Sequence, residues 1–376
     1  MRAAPGFLLM KCRAPRGLHG GHDKEMKMKG NHSPAKAVRR STPRAVAVVV
    51  LNYRHAFHTI ACAESLLRLA DPADWIILVD NGSDDDSAPR LRQWMGEQAR
   101  LPGHELTAET PEGLAAALET VNAACPHETA QKGDGTDRLG QGLWLIRSPI
   151  NKGYAGGNNL GIALACRLGA DAVWVLNNDT EVEPQALGAM RDRLFACSRP
   201  GLCGSLILYH DDPRFVQCLG GGVANRWTGL SWLIGYRLPL QRARKMAPAA
   251  VEAQLNFIYG ASVMASRAFI ETVGLMDEGY FMYCEEQDWA YSAAGRFDLA
   301  YAPGAVVRHH EGISTGWPAA AKPACLLRMT RSRIRLTARH FPLALPTVCG
   351  AVIFAAFRLA ARRILLRFGI GRRKLH

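Results

Sequence analysis

Zinc-type cysteine spacings are missing from this 376-residue sequence, although it contains ten cysteines. No two cysteines form a CxxC pair, and none lies at a spacing typical of a structural zinc site. This scatter excludes a zinc-finger class and a disulfide framework. It indicates small buried side chains in a reducing compartment.

A long apolar run is missing as well. The stretch Gly6–Met10 is far too short for a secretory signal. Leu343–Phe357 reaches only 15 residues before arginines recur at helical spacing, which is below the roughly 20 residues that span a bilayer. Two interpretations stay open for this end of the chain: an interfacial amphipathic helix lying on a membrane, and a helix packed on the protein itself.

Acidic residues are scarce at both ends of the chain, whose net charge is +13. Residues 1–44 carry 11 basic and two acidic residues, and residues 312–376 carry 13 basic residues and no acidic one. The body between them is therefore net acidic. A DNA-binding domain would carry its basic residues on the folded surface, so this distribution argues against nucleic acid as a partner. Basic ends fit anionic lipid headgroups, and solvated tails without a target are the alternative.

Buried β-branched runs alternate with helical patterns from Arg44 onward, after a basic stretch (1–43) that we predict to be a disordered extension. The alternation predicts an α/β fold with a doubly wound, mostly parallel sheet. Polar residues 103–142 are typical of an insertion between core elements. The predicted strands are Ala45–Leu51, Trp75–Val79, Trp144–Arg147, Ala172–Leu176, Ala261–Ala265 and Tyr301–Val307, and the predicted helices are Thr59–Ala70, Ala88–Gln98, Leu160–Leu168, Pro184–Ser198, Arg267–Val273 and Glu285–Ala294.

Polar side chains follow two of the buried strands, at the edge where open α/β sheets bind ligands. Asp80 and Asn81 end the second strand and could contact the donor and acceptor edge of a base. Asn178 and Asp179 follow the fourth strand, where a carboxylate could hold a hard divalent cation. A plain turn at the first position and a helix cap at the second are the structural alternatives.

A glycine-rich segment, Asn151–Asn159, precedes the third predicted helix of the sheet. Free N–H groups at a helix N-terminus favour anions, and Lys152 adds a positive charge. The glycine spacing fits neither the dinucleotide fingerprint nor the P-loop. An anion-binding loop and a simple strand–helix turn both stay open.

Three carboxylates lie within four residues at Glu285, Glu286 and Asp288. Mutual repulsion raises the pKa of one member of such a cluster, which suits a general base near neutral pH. In a helix, Glu285 and Asp288 would share a face, with Glu286 turned away by about 100°. The alternative is a negatively charged first helical turn. His309 follows a predicted strand and could complete a metal site or contact phosphate.

Taken in chain order, these motifs resemble the family 2 glycosyltransferases, and most closely their rhamnosyltransferase-like branch. The resemblance covers roughly 45–342, and its strength lies in the order of seven motifs, since each motif alone is weak. They are VVVLNYR (48–54), VDNGSDD (79–85), NKGYAGGNNLG (151–161), VLNNDT (175–180), GASVMASR (260–267), GLMDEGYFMYCEEQDW (274–289) and HHEGIST (309–315).

The resemblance implies a GT-A fold in three parts. A nucleotide-sugar-binding half (44–255) would carry the insertion at 103–142. An acceptor-binding and catalytic half (256–320) would follow, and then a basic helical segment (321–376) that is a candidate for membrane association. The residues implied around the nucleotide-sugar are Asn52, Asp80, Asn81, Asn151, Lys152, Gly153 and Asn178.

The resemblance also implies the catalytic groups. Glu286 occupies the position of the catalytic base, with Glu285 and Asp288 beside it. Asp179 and His309 occupy the metal-binding positions, and His310 is the alternative one residue on. The sequence departs from the common pattern twice: Asn177 stands where many members carry an acid, and Glu286 stands where Asp is common.

The activity implied is an inverting, metal-dependent transfer of a sugar, with rhamnose favoured, from a nucleoside diphosphate to a saccharide or lipid-linked acceptor. The cofactor would be Mg²⁺ or Mn²⁺, and the setting cell-surface polysaccharide synthesis at the cytoplasmic face of the plasma membrane. A sugar-1-phosphate nucleotidyltransferase-like enzyme is one alternative, although Leu51–Arg54 supplies no triphosphate loop. A non-catalytic nucleotide-sugar-binding protein of the same fold is the other.

Overall fold

The computed structural model describes residues 44–98, 101–124, 142–310 and 323–354. The strands are β1 (Val46–Asn52), β2 (Trp75–Asn81), β3 (Gly103–Thr107), β4 (Gly142–Ser148), β5 (Ala172–Asn177), β6 (Thr180–Val182), β7 (Pro200–Tyr209), β8 (Val216–Leu219), β9 (Gly221–Ala224), β10 (Ser231–Leu233), β11 (Phe257–Ile258), β12 (Ser262–Ser266) and β13 (Asp298–His309). The helices are α1 (Ala56–Leu67), α2 (Ser87–Glu97), α3 (Pro111–Ala124), α4 (Gly153–Arg167), α5 (Ala186–Phe195), α6 (Leu240–Ala243), α7 (Pro248–Glu252), α8 (Arg267–Val273), α9 (Glu285–Ser292) and α10 (Pro323–His340).

One large sheet organises the described chain. Its strand order is β3-β4-β2-β1-β5-β12-β7-β13-β6, and β8 pairs with β7 to make ten strands. The pairings from β3 to β5 are all parallel, whereas β12 lies antiparallel between β5 and β7. The α/β class with a mostly parallel sheet, predicted from the sequence, is therefore confirmed.

Both faces of the sheet are covered, because successive side chains of a strand point to opposite faces. In β1, Val46, Val48 and Val50 pack into one core with α1, α2 and α5. Ala47 and Val49 pack into the other core with α3, α4 and α8. A strand buried on both faces must read as a continuous apolar run, as this one does.

The glycine-rich segment differs from the prediction, because α4 begins at Gly153, inside the motif, rather than at Leu160. The helix lies directly on β1. A Cβ on Gly157 would stand 2.4 Å from Leu51 Cδ1, and a Cβ on Gly161 would stand 2.3 Å from Val49 Cγ1. These glycines therefore allow close helix–sheet packing, which outweighs the low helix propensity of glycine.

The stretch predicted as an insertion, 103–142, contributes to the sheet. Its first part forms the edge strand β3, paired with β4, and the helix α3. Leu106 and Leu114 are buried in the same core as α4. The first part is thus integral to the fold, and residues 125–141 lie outside the described residues.

The domain boundaries inferred from the sequence stay predictions. Strands β12 and β13, beyond the boundary drawn at 255/256, lie in the same sheet as β7, and β10, β9 and β11 form a separate three-stranded sheet. The disordered extension predicted for 1–43 falls outside the described residues. Among the described helices, none combines the length and apolarity needed to cross a membrane.

A glycine substitution tests the packing of α4. Gly153 has φ +73°, and a Cβ there would stand 2.2 Å from the Phe281 carbonyl oxygen. We expect Gly153→Ala to lower the free energy of unfolding by about 2 kcal/mol or more, since backbone strain alone costs about 1–3 kcal/mol. Chemical denaturation measures this. Gly96→Ala in α2, where the added Cβ meets nothing within 4 Å, is the matched control and should stabilise by about 0.5 kcal/mol. Equal stability of both variants would contradict the packing described.

Candidate active site

A buried hydrogen-bond chain joins the carboxyl ends of β1, β2 and β5. Asp80 Oδ1 accepts from Asn52 Nδ2 at 2.8 Å and from Ser83 Oγ at 2.5 Å. Asn52 Oδ1 accepts from Thr59 Oγ1 at 2.7 Å, and Thr59 Oγ1 accepts from Asn178 Nδ2 at 3.1 Å. The structure therefore brings together three of the residues predicted for nucleotide-sugar binding: Asn52, Asp80 and Asn178.

Asn81 and Asn151 organise the start of α4. Asn81 Nδ2 donates to the Gly153 carbonyl oxygen at 2.9 Å and to Asn151 Oδ1 at 3.1 Å. Asn81 Oδ1 accepts from the Lys152 backbone N–H, and Asn151 Oδ1 accepts from the Gly153 backbone N–H. Both amides thus hold the loop that precedes α4 against the end of β2.

The N–H groups on which the anion-loop interpretation depends have protein partners in this structure, and the interpretation stays a prediction. The backbone N–H groups of Lys152, Gly153 and Tyr154 are all taken by protein acceptors, the last by the Phe281 carbonyl oxygen at 2.8 Å. The Lys152 ammonium pairs with the Glu278 carboxylate at 3.0 Å. An anion would have to displace these partners, so the helix start serves to fasten two loops together.

Asp179 and His309 meet in the interior. His309 Nε2 lies 3.1 Å from Asp179 Oδ1, and His309 Nδ1 lies 2.8 Å from Gln217 Oε1. Both side chains are buried, with 5% and 4% of the residue surface exposed for Asp179 and His309. The pairing of β13 with β6 places His309 opposite Thr180 and fixes this contact.

The Asp179–His309 pair fits a divalent cation. When His309 donates its Nδ1 proton to Gln217 Oε1, its Nε2 lone pair faces the Asp179 carboxylate oxygen. Two lone pairs repel each other, so only a proton or a cation between Nε2 and the carboxylate makes this contact favourable. Two ligands about 2.1 Å from one octahedral ion lie about 3.0 Å apart, close to the spacing present. His309, rather than the alternative His310, makes the side-chain contact with Asp179.

Two unpaired acids begin α9. Burial raises the pKa of Glu286 to about 7, and burial together with the charge of Glu286 raises the pKa of Glu285 well above its usual value. Within the described part of the chain, the Oε2 atoms of both lack a hydrogen-bond partner. The preceding Tyr283 and Cys284 have φ of 74° and 69°, a left-handed conformation that costs energy in non-glycine residues and clusters at functional sites.

A half-buried tyrosine, Tyr154, responds to the charges of the α9 acids and of Asp179. Tyr154 is the second residue of α4, and its hydroxyl donates a hydrogen bond to the Gly260 carbonyl oxygen at 2.6 Å. Burial raises the pKa of Tyr154 most, and the charges of Glu285, Glu286 and Asp179 each raise it further. The charges of all three carboxylates therefore act on this one phenol.

Asp288, predicted as part of the catalytic set, is held by other side chains. Asp288 Oδ1 accepts from Tyr280 Oη at 3.0 Å and from His340 Nε2 at 2.8 Å, and Asp288 Oδ2 accepts from Arg339 Nη1 at 3.1 Å. These contacts anchor α9 to α10. The structure thus shows an anchoring role for Asp288, and its catalytic role stays a prediction.

Three residues around the site were missed in the sequence. Thr59 bridges Asn52 and Asn178, Gln217 contacts His309, and the Tyr154 hydroxyl donates to the Gly260 carbonyl oxygen. Tyr154 lies within the glycine-rich motif and could have been found there. Thr59 and Gln217 occur in no motif, and only the fold brings them to the strand ends.

Comparison with known proteins gives distant relatives, and no family model matches. The chain is 28% identical over 192 residues to the N-acetylglucosaminyl-diphospho-decaprenol L-rhamnosyltransferase of Mycobacterium tuberculosis, covering 46% of this chain and 60% of that protein. It is 28% identical over 157 residues to the low-salt glycan biosynthesis hexosyltransferase Agl10 of Haloferax volcanii, covering 40% and 46%. The aligned region thus spans 60% or less of the length of these curated relatives.

Solved structures were compared as well. The mannosyltransferase PcManGT of Pyrobaculum calidifontis, solved in complex with GDP-Man and Mn²⁺, has a TM-score of 0.47 at 15% identity, over 87% of this chain and 81% of that one. S. aureus TarS (1–349) has a TM-score of 0.44 at 10% identity, over 82% and 71%. The sequence relatives confirm the resemblance to rhamnosyltransferase-like family 2 glycosyltransferases.

Proposed function

We propose that this chain is a glycosyltransferase of the GT-A type that transfers a sugar from a nucleoside diphosphate to an acceptor hydroxyl with inversion. The observation that carries the proposal is the pair of sites around Tyr154: a buried carboxylate–imidazole pair at Asp179 and His309, and an unpaired acid at Glu286. The sequence relatives, a rhamnosyltransferase and a hexosyltransferase, support the same chemistry.

The donor would lie along the carboxyl ends of β1, β2 and β5. Asp80, held by Asn52 and Ser83, would contact the base, and Asn178 would complete that wall of the site. Asp179 and His309 would hold Mg²⁺ or Mn²⁺, which supplies positive charge to the departing diphosphate. Asn81 and Asn151 keep the loop before α4 in place beside the donor.

Glu286 is the general base of the proposed reaction. Its carboxylate takes the proton of the acceptor hydroxyl as that oxygen bonds to the anomeric carbon, while the bond from this carbon to the diphosphate oxygen breaks. A base with a pKa near 7 is half ionised at neutral pH and still accepts a proton readily. Glu285 is buried beside it, and burial together with the charge of Glu286 raises the pKa of Glu285 well above its usual value.

We base the proposed acceptor and the proposed cellular location on the relatives and on the charge distribution. The mycobacterial relative carries a diphospho-decaprenol substrate in its name, so a lipid-linked acceptor in cell-surface polysaccharide synthesis is our proposal here, with rhamnose as the favoured sugar. The basic segment beyond residue 312 would hold the enzyme at the cytoplasmic face of the membrane through anionic headgroups.

The pH dependence tests Glu286. Only the unprotonated carboxylate can act as the base, so we expect kcat/KM to rise with pH and to level off above about 7, the value to which burial raises the pKa of Glu286. Steady-state rates in buffers of constant ionic strength measure this. A profile that stays flat from pH 5 to about 9 would contradict the assignment.

The same raised pKa predicts a stability effect that does not depend on activity. The folded state binds this proton more tightly than the unfolded chain, whose glutamate has a pKa near 4.5. Stability from Glu286 is therefore full below about 4.5 and is lost as pH rises through about 7. We expect denaturant unfolding to show this decline in the wild type and a smaller decline in Glu286→Gln.

A donor assay separates the three candidate functions. Purified chain with a panel of nucleoside diphosphate sugars and Mn²⁺ should release nucleoside diphosphate, faster when acceptor is present. A nucleotidyltransferase would instead consume nucleoside triphosphate and sugar phosphate and release pyrophosphate. A non-catalytic protein would bind a nucleotide-sugar in calorimetry without turnover.

A further inference from the structure

Three side chains of metal-ligand type meet at the edge of the sheet that ends in β6, next to the Asp179–His309 pair. Glu181 lies in β6, His210 follows β7, and His310 follows β13. One ligand atom of each lies within 4.8 Å of the others. Their side chains are 37%, 29% and 26% exposed for Glu181, His210 and His310, so solvent ions can reach them.

The spacing suits a tetrahedral ion. His210 Nε2 lies 3.4 Å from Glu181 Oε1, and two ligands about 2.1 Å from one tetrahedral ion lie about 3.4 Å apart. The rings of His210 and His310 stack with centroids 3.4 Å apart and planes 25° from parallel.

The backbone fixes the ligand positions before any ion binds. The pairing of β13 with β6 sets Arg308 opposite Glu181. The His210 N–H donates to the His309 carbonyl oxygen at 3.1 Å, and the His310 N–H donates to the Asp179 carbonyl oxygen at 2.9 Å. All three ligands thus stand on strand ends that are hydrogen-bonded to one another.

An outer carboxylate completes the arrangement. Asp211 Oδ1 lies 3.6 Å from His210 Nδ1 and 3.8 Å from His310 Nδ1. A carboxylate beside the Nδ1 atoms favours the tautomer that carries its proton there and leaves Nε2 to a metal, as outer-shell acids do in zinc sites.

We propose that Glu181, His210 and His310 form a second metal site, of the two-histidine, one-carboxylate type, for Zn²⁺ or a similar transition-metal ion. Imidazole ligands favour such an ion over Mg²⁺ and Ca²⁺, which prefer oxygen ligands. The site uses different side chains from the Asp179–His309 pair and lies beside it, since the His310 N–H donates to the Asp179 carbonyl oxygen. An ion there fastens together the strand ends that carry Asp179 and His309.

Cobalt titration of the metal-free full chain tests this site without any sugar transfer. Wild type is expected to give the visible absorption of tetrahedral Co²⁺, which Zn²⁺ then displaces. His210→Ala should weaken Co²⁺ binding by about 100-fold or more, because loss of an outer-shell group alone costs about 10–100-fold. Zn²⁺ should raise the melting temperature of the wild type more than that of His210→Ala. Asp179→Asn should leave the tetrahedral absorption in place.

Glu181→Gln, on a different strand, provides the second variant and should give the same loss. Circular dichroism of both variants establishes that they are folded. Unchanged Co²⁺ affinity in the folded variants would overturn the proposal, as would a tetrahedral signal that disappears only in Asp179→Asn. The proposed glycosyl transfer stands or falls independently of this result, since the assay measures metal binding alone.

Discussion

Glu286→Gln is expected to lower kcat for glycosyl transfer by about 10²–10⁴-fold, the usual contribution of a general base. The amide has nearly the same shape and cannot accept the acceptor proton. Donor binding should be retained, because Asp80 and Asp179 lie on other elements. The folded state should be at least as stable as the wild type at neutral pH, since a buried acid with a raised pKa is replaced by a neutral group. Initial-rate kinetics with saturating donor, together with calorimetric binding of the nucleoside diphosphate, measure both effects.

A glutamate of the same type elsewhere provides the control for this variant. Glu64→Gln, on the exposed face of α1, makes the same chemical change far from the strand ends and should leave kcat within about twofold. Glu285→Gln should cost less activity than Glu286→Gln, since Glu286 is the group proposed to accept the proton. If Glu286→Gln turned over at the wild-type rate, another group would have to remove the proton.

Asp179→Asn is expected to abolish most metal-dependent turnover, with a loss on the order of 10³-fold, because the metal contributes several kcal/mol of charge stabilisation. The amide keeps a neutral oxygen near His309 Nε2, so the strand end can remain folded. Nucleoside diphosphate should bind the variant with little enhancement by Mn²⁺, whereas the wild type should bind it more tightly when Mn²⁺ is present. Calorimetric titrations with and without Mn²⁺ measure this difference.

Asp192→Asn is the matched control, because that carboxylate is 76% exposed on α5 and carries no assigned role. It should keep both the rate and the enhancement by Mn²⁺. A wild-type rate in Asp179→Asn under chelation would mean that the carboxylate is structural and that the reaction needs no ion at this position.

The ends of the parallel strands explain why part of this site could be predicted from sequence. Strands β1, β2 and β5 read as continuous apolar runs, and their carboxyl ends must meet at one edge of the sheet. Asn52, Asp80 and Asn178 are then neighbours as a matter of geometry, which the hydrogen-bond chain through Thr59 confirms. The apolar pattern of each strand and the parallel order of the strands therefore predict the same neighbours.

Two other features of the site depend on distant partners that the sequence does not reveal. The glycines of the α4 motif face β1, and no local rule distinguishes glycine needed for close packing from glycine needed for an anion. Asp288 is held by Arg339 and His340, which follow it by 51 and 52 residues. The three acids within residues 285–288 look equivalent in the sequence. Only the packing of α10 against α9 separates the anchoring carboxylate of Asp288 from Glu285 and Glu286, whose Oε2 atoms have no hydrogen-bond partner among the described residues.

The most direct measurement is an anomalous-scattering map from crystals soaked with Mn²⁺ and a nucleoside diphosphate sugar. We expect a manganese peak in contact with Asp179 Oδ1 and His309 Nε2, and a sugar whose anomeric carbon faces the Glu286 carboxylate across space for an acceptor hydroxyl. A donor bound with its anomeric carbon turned away from Glu286, or manganese absent from the Asp179–His309 pair, would contradict the account.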